Sequence, residues 1–331
     1  MMGRFIMKIG ITYDTKEDYM DIDSSKYCDF ASKTSISFLK KQFIQAGYDT
    51  ILIGSCAKLK ELISSGKLDV DYIYNTAEGI RSRNREGIIP SLLETYNIPY
   101  IGSDAYALSL TLNKYHTKLL AKQIGIPTPK SEIIYLYDPI SQIIRKLKNL
   151  NFPLVIKPNY EGSSMGVFLV NSMEEGIARI EQNQSDYHQE ILCEEYIDGM
   201  EITVPIIGND EKASALGIIE FYRNDKKPIG IFNSNDKHYA NIKCRKAEIP
   251  SETEHLIRTY SERIHRFLGC RDINRVDYRI TADFKVFLLE INPLPALDPE
   301  GSFVCAARLQ GMDFPQLLNR IVDEARLRQN T

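Results

Sequence analysis

The chain contains no tryptophan, no C-x-x-C pair and no apolar run close to the roughly 20 residues that a membrane-spanning helix needs. Nineteen tyrosines and 13 phenylalanines among its 331 residues still supply aromatic area for hydrophobic cores. Its six cysteines are scattered, which favours reduced thiols over a disulfide framework. The first residues lack the apolar stretch of a secretory signal. We therefore expect a cytoplasmic globular protein that does not contact a membrane.

The chain also lacks an excess of charge of either sign. Lys and Arg number 41 against 44 for Asp and Glu, which gives a net charge of −3. Proteins that bind nucleic acid usually carry a basic excess on one face, so no nucleic-acid partner is expected. The length predicts two domains, or three small ones that share a site. Any polyanion that binds must be small and held by a few placed cations.

The first third of the chain alternates between strand and helix patterns. Strands are predicted at 8–13, 49–54 and 71–74, and helices at 29–46 and 87–96. This alternation is typical of a parallel sheet with helices on its faces. Such sheets bind ligands beyond the carboxyl ends of their strands, so the loops after Tyr13, Gly54 and Asn75 are predicted to be functional.

The remaining two thirds change in character. One helix is predicted from about residue 105 to 124, where a Gly-then-Pro signal ends it. Further elements are predicted as strands at 152–157, 166–170, 201–207, 214–221, 275–281 and 285–291, and as helices at 252–268 and 314–326.

A loop rich in Gly and Ser follows the strand that ends at Lys157. Its sequence, Glu161-Gly-Ser-Ser-Met-Gly166, offers backbone N–H groups that can cradle phosphate. A lysine in this position is more often a solvated side chain, so the loop alone is a weak signal. The pattern G-x-x-x-x-G-K-[ST] is absent, which excludes a Walker A loop.

Polar residues interrupt two apolar strands near the end of the chain. Arg275 and Asp277 share one face of their strand, and Glu290 and Asn292 share one face of theirs, because residues two apart point the same way. If the strands pair, two carboxylates and an amide oxygen form a cluster suited to Mg²⁺ on nucleotide phosphates. The alternative is a solvated face with a salt bridge from Arg275 to Glu290. The apolar surroundings favour the metal cluster.

Residues 192–201, Leu-Cys-Glu-Glu-Tyr-Ile-Asp-Gly-Met-Glu, connect two strands and carry several acids. Backbone amides in such a connection can take adenine at their edge, and Glu201 can take the ribose. An ordinary linker is an equally good interpretation of this segment alone.

Together these segments resemble the ATP-grasp superfamily, and most closely the D-alanine–D-alanine ligase family. The resemblance covers nearly the whole chain, including residues 98–104, 112–118, 125–129, 152–158, 269–277 and 289–295. It implies an α/β chain of ATP-grasp fold. A parallel α/β domain spans 1–106, and two α+β domains that clamp ATP span 107–192, with the Gly/Ser flap, and 193–331, with the metal site.

The resemblance also implies how ATP is held. Lys114 and Lys157 match the cations on the α- and β-phosphates, and Lys237 matches the catalytic cation that reaches the γ-phosphate. Glu194 matches the acid that takes the adenine amino group, and Glu201 the acid on the ribose hydroxyls.

The implied metal cluster of two Mg²⁺ ions, for which Mn²⁺ can substitute, uses Asp277, Glu290 and Asn292. Arg275 matches the catalytic arginine that stabilises the oxyanion. In the family, ATP phosphorylates a carboxylate, and an amine then attacks the acyl phosphate.

Three serines complete the implied site. Ser163 and Ser164 lie in the flap that closes over substrate, with Ser163 at the reaction centre and Ser164 on the nucleotide. Closure of such a flap keeps water from hydrolysing the acyl phosphate. Ser302 resembles the serine that binds the carboxylate of the second substrate.

The chain departs from the family where the substrates bind. The family's Gly-Gly-x-Ser-x-Glu loop is missing after the first strand, and neither Glu17 nor Asp18 matches its amine-binding glutamate. His238 stands where the family has tyrosine, a place at which histidine in relatives is associated with hydroxy acids. A capping role for His238 is the alternative.

A second departure is a loop with three arginines, Arg81, Arg83 and Arg85, where the family has a turn rich in Gly, Glu and Asp. These arginines either bind a substrate carboxylate or form a solvated charged loop.

We predict an ATP-dependent carboxylate–amine ligase of D-alanine–D-alanine ligase type, acting as a homodimer on small amino acids or carboxylates. One alternative is a natural-product ligase that joins an amino acid to a small scaffold, of the mycosporine-like amino acid type. Another is a nucleotide-binding protein without ligase activity. The presence of all five phosphate and metal residues argues against the last: Lys157, Lys237, Asp277, Glu290 and Asn292.

Overall fold

The computed structural model describes residues 6–19, 30–80, 82–223 and 242–329. Their strands form three sheets, one parallel and two antiparallel. The predicted α/β class with a parallel first sheet is confirmed. None of the helices in these ranges is long and apolar enough to cross a membrane.

The first sheet is parallel throughout, in the order β2–β1–β3–β4. Its elements are β1 (Lys8–Thr12), α1 (Lys33–Gln45), β2 (Asp49–Gly54), α2 (Cys56–Ser64), β3 (Tyr72–Asn75), α3 (Ile88–Thr95) and β4 (Tyr100–Ile101). Ile9 and Ile11 of β1 are fully buried, as expected of a central parallel strand with helices on both faces. Helix α1 begins later than predicted because Ser32 caps it, its Oγ accepting from the Ser35 N–H.

The second sheet is antiparallel, in the order β5–β8–β6–β7. The elements of this part are α4 (Ala105–Leu112), α5 (Lys114–Gln123), β5 (Ser131–Ile134), α6 (Ile140–Leu147), β6 (Leu154–Pro158), β7 (Phe168–Val170), α7 (Met173–Tyr187) and β8 (Ile191–Glu195).

The prediction of one helix over 105–124 was wrong, because the chain forms two helices that meet at Asn113. This residue is extended, and its Oδ1 accepts from the His116 N–H to cap α5. A short polar side chain that binds nearby backbone favours such a break. The break makes Lys114 the first residue of α5.

The third sheet is also antiparallel, in the order β12–β11–β9–β13–β14, with β10 paired to β9. Its elements are β9 (Met200–Ile207), β10 (Ser214–Ala215), β11 (Ile219–Arg223), β12 (Ile242–Lys246), α8 (Ser251–Phe267), β13 (Ile273–Ile280), β14 (Val286–Asn292), α9 (Ser302–Leu309) and α10 (Phe314–Gln329). The strand predicted over 214–221 is divided into β10 and β11.

The first and third sheets share one hydrophobic core. Ile9 and Ile11 of β1 belong to the same buried cluster as Ile207 of β9 and Ile321 of α10. This shared core holds the loops of the parallel sheet close to the third sheet.

The expectation of reduced cysteines was wrong for one pair. Cys244 on β12 and Cys305 on α9 form a disulfide, with their Cα atoms 6.5 Å apart. Cys56, Cys193 and Cys270 are free thiols, and Cys28 lies outside the described residues. Helix α9 packs against β12, so two cysteines 61 residues apart in sequence become neighbours.

Candidate active site

The predicted pairing of the two polar strands is confirmed. In the antiparallel ladder of β13 and β14, Asp277 lies opposite Glu290, and Arg275 lies opposite Asn292. The alternative salt bridge from Arg275 to Glu290 does not form. Arg275 instead binds Asp277, with Nε 3.1 Å from Oδ1 and Nη2 2.9 Å from Oδ2.

The two facing carboxylates titrate differently. Burial raises the pKa of Asp277, and the nearby Glu290 carboxylate raises it further against the effect of Arg275. Burial also disfavours the ionised form of Glu290, but Lys114, Lys157 and Arg275 outweigh it and lower its pKa to about 2. A cation placed between the two carboxylates would relieve the repulsion that raises the pKa of Asp277.

The donor chemistry of this cluster fits Mg²⁺. Asp277 and Glu290 would supply carboxylate oxygens, and Asn292, two residues after Glu290 on the same face, would supply an amide oxygen that also accepts from the Leu294 N–H. Among the described residues, no group of three His, Cys, Asp or Glu side chains comes together. Mg²⁺ in nucleotide sites uses one or two carboxylates and completes its coordination with phosphate oxygens and water, which fits this set.

Two lysines reach the same cleft from the central part of the chain. Lys114 Nζ lies 3.4 Å from Glu290 Oε2 and donates to the Glu161 carbonyl at 2.6 Å. Lys157 is buried at the end of β6, with Nζ 2.5 Å from Glu194 Oε1. Burial lowers the pKa of Lys157, but the carboxylates of Glu194 and Glu290 outweigh it and raise the pKa overall.

A further lysine, which the sequence analysis did not single out, completes this group. Lys118 is fully buried, and its Nζ lies 2.9 Å from Glu194 Oε2. Burial lowers its pKa to about 8, against the effect of Glu194. Its spacing of four residues from Lys114 on α5 was the signal that could have identified it, because i and i+4 share a helix face.

Glu194 therefore holds two lysines at the base of the cleft. Both of its oxygens contact a lysine Nζ, and its pKa is lowered despite burial. The role of Glu194 at the adenine amino group stays a prediction.

Glu201 lies on β9 and also lines the cleft. Its Oε2 is 2.9 Å from Arg279 Nη2, and the Arg279 guanidinium lies 5.2 Å from the centre of the Tyr196 ring. Burial, with the charges of Asp277 and Glu290, raises the pKa of Glu201 to about 7 in spite of Arg279.

The Gly/Ser loop closes one side of the cleft with unusual backbone geometry. Ser163 and Ser164 both have positive φ, at 45° and 57°. Gly166 has φ 65°, and a Cβ there would lie 2.8 Å from Pro158, so this position requires glycine. Ser164 lines the cleft, whereas Ser163 is exposed.

One continuous cleft between the second and third sheets joins these groups. It is lined by Lys114, Pro129, Val155, Lys157, Pro158, Glu161, Gly162, Ser164, Met165, Val167, Glu194, Glu195, Tyr196, Ile197, Glu201, Asp277, Arg279, Leu289 and Glu290. The lining combines lysines and carboxylates with apolar side chains such as Val155, Met165 and Leu289. An adenine nucleotide likewise combines charged phosphates with a flat base.

Three acids in the loop after β1 have partners within the chain. The Asp18 carboxylate accepts from the N–H and Oγ1 of Thr15, and the exposed Glu17 lies 3.2 Å from Lys33. Asp14, which the sequence analysis overlooked, is buried and accepts from Tyr19 Oη at 2.6 Å. Burial raises the pKa of Asp14.

Two of the remaining predicted residues are described by the structure, and three are not. Ser302 is buried at the first position of α9, and Arg83 is exposed. Arg81, Lys237 and His238 lie outside the described residues.

Comparison with known proteins agrees with this geometry. The family model described as D-ala D-ala ligase C-terminus matches residues 120–323. The uncharacterised protein y4sG of Sinorhizobium fredii is 33% identical over 259 residues, which cover 77% of this chain and 75% of that protein. A D-alanine–D-alanine ligase of Desulforamulus reducens is 29% identical over 285 residues, covering 84% of this chain and 88% of that one.

Solved structures show the same fold. The structure of D-alanine–D-alanine ligase from Bacillus anthracis complexed with ATP matches with a TM-score of 0.75 at 23% identity, over 98% of this chain and 99% of that one. Two sheets that clamp a cleft lined with lysines and carboxylates define an ATP-grasp enzyme. Within that class, the chain belongs to the D-alanine–D-alanine ligase family and is an ATP-dependent ligase.

Proposed function

We propose that the chain joins the carboxylate of one small substrate to the amine of a second, converting ATP to ADP and phosphate. The observation that carries this proposal is the convergence of Lys114 and Lys157 with Asp277 and Glu290 in one cleft. Cations beside a hard-oxygen cluster provide what phosphoryl transfer to a carboxylate needs. Relatives of the chain include proteins named D-alanine–D-alanine ligase.

The protein side chains would divide the work along the cleft. Lys114 and Lys157 would hold the phosphates, and Glu201 would bind the ribose hydroxyls. Asp277, Glu290 and Asn292 would hold Mg²⁺, which neutralises charge on the phosphate oxygens when bound. Glu194 contacts both Lys118 and Lys157 and would keep Lys157 in place.

The second half of the reaction would use groups beside the metal cluster. Arg275 is held by Asp277 next to the cluster, where its guanidinium can stabilise the oxyanion of the tetrahedral intermediate. The Gly/Ser loop with Ser163 and Ser164 would shield the acyl phosphate from water. Ser302 at the start of α9 would bind the carboxylate of the second substrate.

We also propose the three-part division 1–106, 107–192 and 193–331. The strands of the three sheets lie within 8–101, 131–195 and 200–292, which supports the division. Since β8 ends at Glu195, we move the second boundary to that residue. Action in the cytoplasm, as a homodimer, stays a prediction.

The experiment that tests the function is a substrate panel. The protein is incubated with Mg-ATP and pairs of D-amino, L-amino and hydroxy acids, with phosphate release and product mass as readouts. We expect ligated product and one phosphate per product for at least one pair. ATP binding without phosphate release for any pair would instead support a nucleotide-binding protein.

The same panel tests whether the loss of the family's amine-binding glutamate after β1 changes the choice of substrate. In the described part of the loop after β1, Asp18 is bound to Thr15 and Glu17 is paired with Lys33 of α1, so neither acid there matches the amine-binding glutamate of the family. Burying an unpaired ammonium is costly, by several kcal/mol. We therefore expect D-alanine as the only substrate to give little product, and comparable rates with D-alanine would contradict this expectation.

A further inference from the structure

Of the two described arginines in the loop that follows β3, Arg85 is buried. Its side chain is 7% exposed, unlike the exposed Arg83. Its Nη1 donates to the Tyr160 carbonyl at 2.7 Å, and its Nη2 lies 3.9 Å from Glu161 Oε2. An arginine of the N-terminal part therefore contacts the first residues of the Gly/Ser loop.

The loop that carries Arg85 is itself held by the parallel sheet. The Gly79 N–H donates to Asp14 Oδ2 at 2.8 Å, and Asp14 is the second residue after the end of β1. Gly79 has φ 67°, and a Cβ on it would lie 2.7 Å from the Arg85 carbonyl oxygen. Backbone packing thus connects the end of β1 to Arg85, with no long flexible side chain between them.

Glu161, which Arg85 contacts, is also bound by a lysine of the cleft. Lys114 Nζ donates to the carbonyl of Glu161, and the same Nζ lies 3.4 Å from Glu290. Gln189 Nε2 donates to Glu161 Oε1 at 2.7 Å. Arg85 therefore contacts Tyr160 and Glu161, and the Glu161 carbonyl in turn binds Lys114.

We propose that Arg85 is a positioning residue that holds the Gly/Ser loop and Lys114 in the arrangement that binds the nucleotide phosphates. Its contacts include Tyr160 and Glu161 beside the loop and its neighbour Glu86. The proposal rests on the proposed function only in taking the cleft as the ATP site. The loop that carries Arg85 follows the carboxyl end of the parallel strand β3, which is where such sheets bind ligands, so Arg85 would also connect that region to the Gly/Ser loop.

The test compares two nucleotides that differ in their phosphates. We would measure the Kd of ATP and of AMP by calorimetry, with Mg²⁺ present, for the wild type and for Arg85→Met. The apolar replacement keeps much of the side-chain volume and removes the charge-assisted hydrogen bond to Tyr160. We expect the Kd of ATP to rise about tenfold and that of AMP to change less than twofold.

Hydrogen exchange supplies a readout that does not depend on nucleotide. In Arg85→Met, peptides over residues 159–166 should exchange faster than in the wild type, whereas peptides of α10 should not change. Arg85→Lys keeps the charge without the forked geometry, so we expect a smaller shift of the ATP-to-AMP ratio in the same direction. Arg145→Ala removes an exposed arginine on α6 and should leave the ratio unchanged.

The proposal would be overturned if the ratio of the ATP Kd to the AMP Kd in either folded Arg85 variant equalled that of the wild type. An equal rise of both Kd values would give that same ratio and would count in the same way. If Arg85→Met fails to fold, Arg85→Lys and its exchange pattern decide. Absence of ligation by the wild type would count against the proposed function alone, because the binding ratio and the exchange rates are measured without a second substrate.

Discussion

At the scale of single residues, the cleft is a set of mutually dependent charges. Three cations lower the pKa of Glu290 to about 2 against the effect of burial, whereas burial and the nearby Glu290 carboxylate raise the pKa of Asp277. Lys118 and Lys157 are buried on one carboxylate, Glu194. Removing any one of these charges leaves another buried without compensation, which is more costly than the loss of a surface pair.

The metal cluster provides the first prediction. Asp277→Asn or Glu290→Gln should abolish ATP-dependent ligation without unfolding the chain, because Mg²⁺ loses a charged oxygen ligand. Phosphate release measures the activity, and thermal unfolding reports the fold. Asp283→Asn, on the exposed turn between β13 and β14, is the matched control and should keep full activity. Turnover at the wild-type rate in a cluster variant would place the metal elsewhere.

Glu201 provides a prediction about pH. Its raised pKa of about 7 means that its carboxylate is protonated below that pH and ionised above it. An ionised carboxylate accepts stronger hydrogen bonds from ribose hydroxyls. The affinity for adenosine, which has no titrating phosphate, should therefore rise severalfold between pH 6 and pH 8.

Calorimetry across this range measures the effect, and Glu201→Gln should flatten the profile. A profile that is equally steep in Glu201→Gln would show that another group titrates.

At the scale of elements, the break between α4 and α5 positions a functional residue. Asn113 caps α5 through its Oδ1, and its Nδ2 donates to Tyr160 Oη at 3.0 Å. The same Oδ1 accepts from Asn159 Nδ2, which ties the helix start to the loop after β6. Lys114 can reach Glu161 and Glu290 only because α5 starts at that point.

Asn113→Ala should therefore affect both stability and binding. We expect a loss of about 1 kcal/mol or more in the free energy of unfolding, because a helix cap is removed. The Kd of ATP should also rise, since Lys114 loses its fixed starting position. Urea unfolding and calorimetry measure the two effects.

Ser172 offers a matched control for Asn113. It caps α7 in the same way, with its Oγ accepting from the Glu175 N–H, and it does not line the cleft. Ser172→Ala should cost a similar stability without changing ATP affinity. Equal ATP affinity in Asn113→Ala and the wild type would separate the helix break from phosphate binding.

At the scale of the whole molecule, the first and third sheets are joined by a buried polar contact beside their shared core. Asp272 is fully buried, and its Oδ2 accepts from the Gly102 N–H at 2.8 Å and from Arg328 Nη2 at 2.9 Å. Arg328 also donates to the Tyr100 carbonyl at 2.9 Å. One carboxylate thus links β4, β13 and the last turn of α10.

Asp272→Ala should destabilise the full chain by about 3–5 kcal/mol, because it leaves the half-buried Arg328 guanidinium and the Gly102 N–H without this partner. Urea unfolding of the intact protein measures the loss. Asp323→Ala, which removes an exposed i,i+3 pair on the same helix, should change stability little. Similar urea midpoints for the two variants would show that the Asp272 contact contributes no more to stability than an exposed ion pair.

The sequence by itself determined the family, the parallel first sheet and the facing pair Asp277 and Glu290. The family follows from the resemblance of ordered segments, the parallel sheet from apolar runs of strand length, and the facing pair from polar residues two apart on two strands that were expected to pair. Such patterns are written within a few neighbouring residues, so they can be interpreted without knowing what packs against them.

Only the tertiary structure decided the roles of Lys118, Asp14 and Arg85. Arg85 and Tyr160 are 75 residues apart, and Gly79 and Asp14 are 65 apart. The disulfide between Cys244 and Cys305 arises in the same way from the packing of α9 on β12. A charged side chain looks the same in the sequence whether it is solvated or buried, because its environment is set by distant segments that meet only when the sheets pack together.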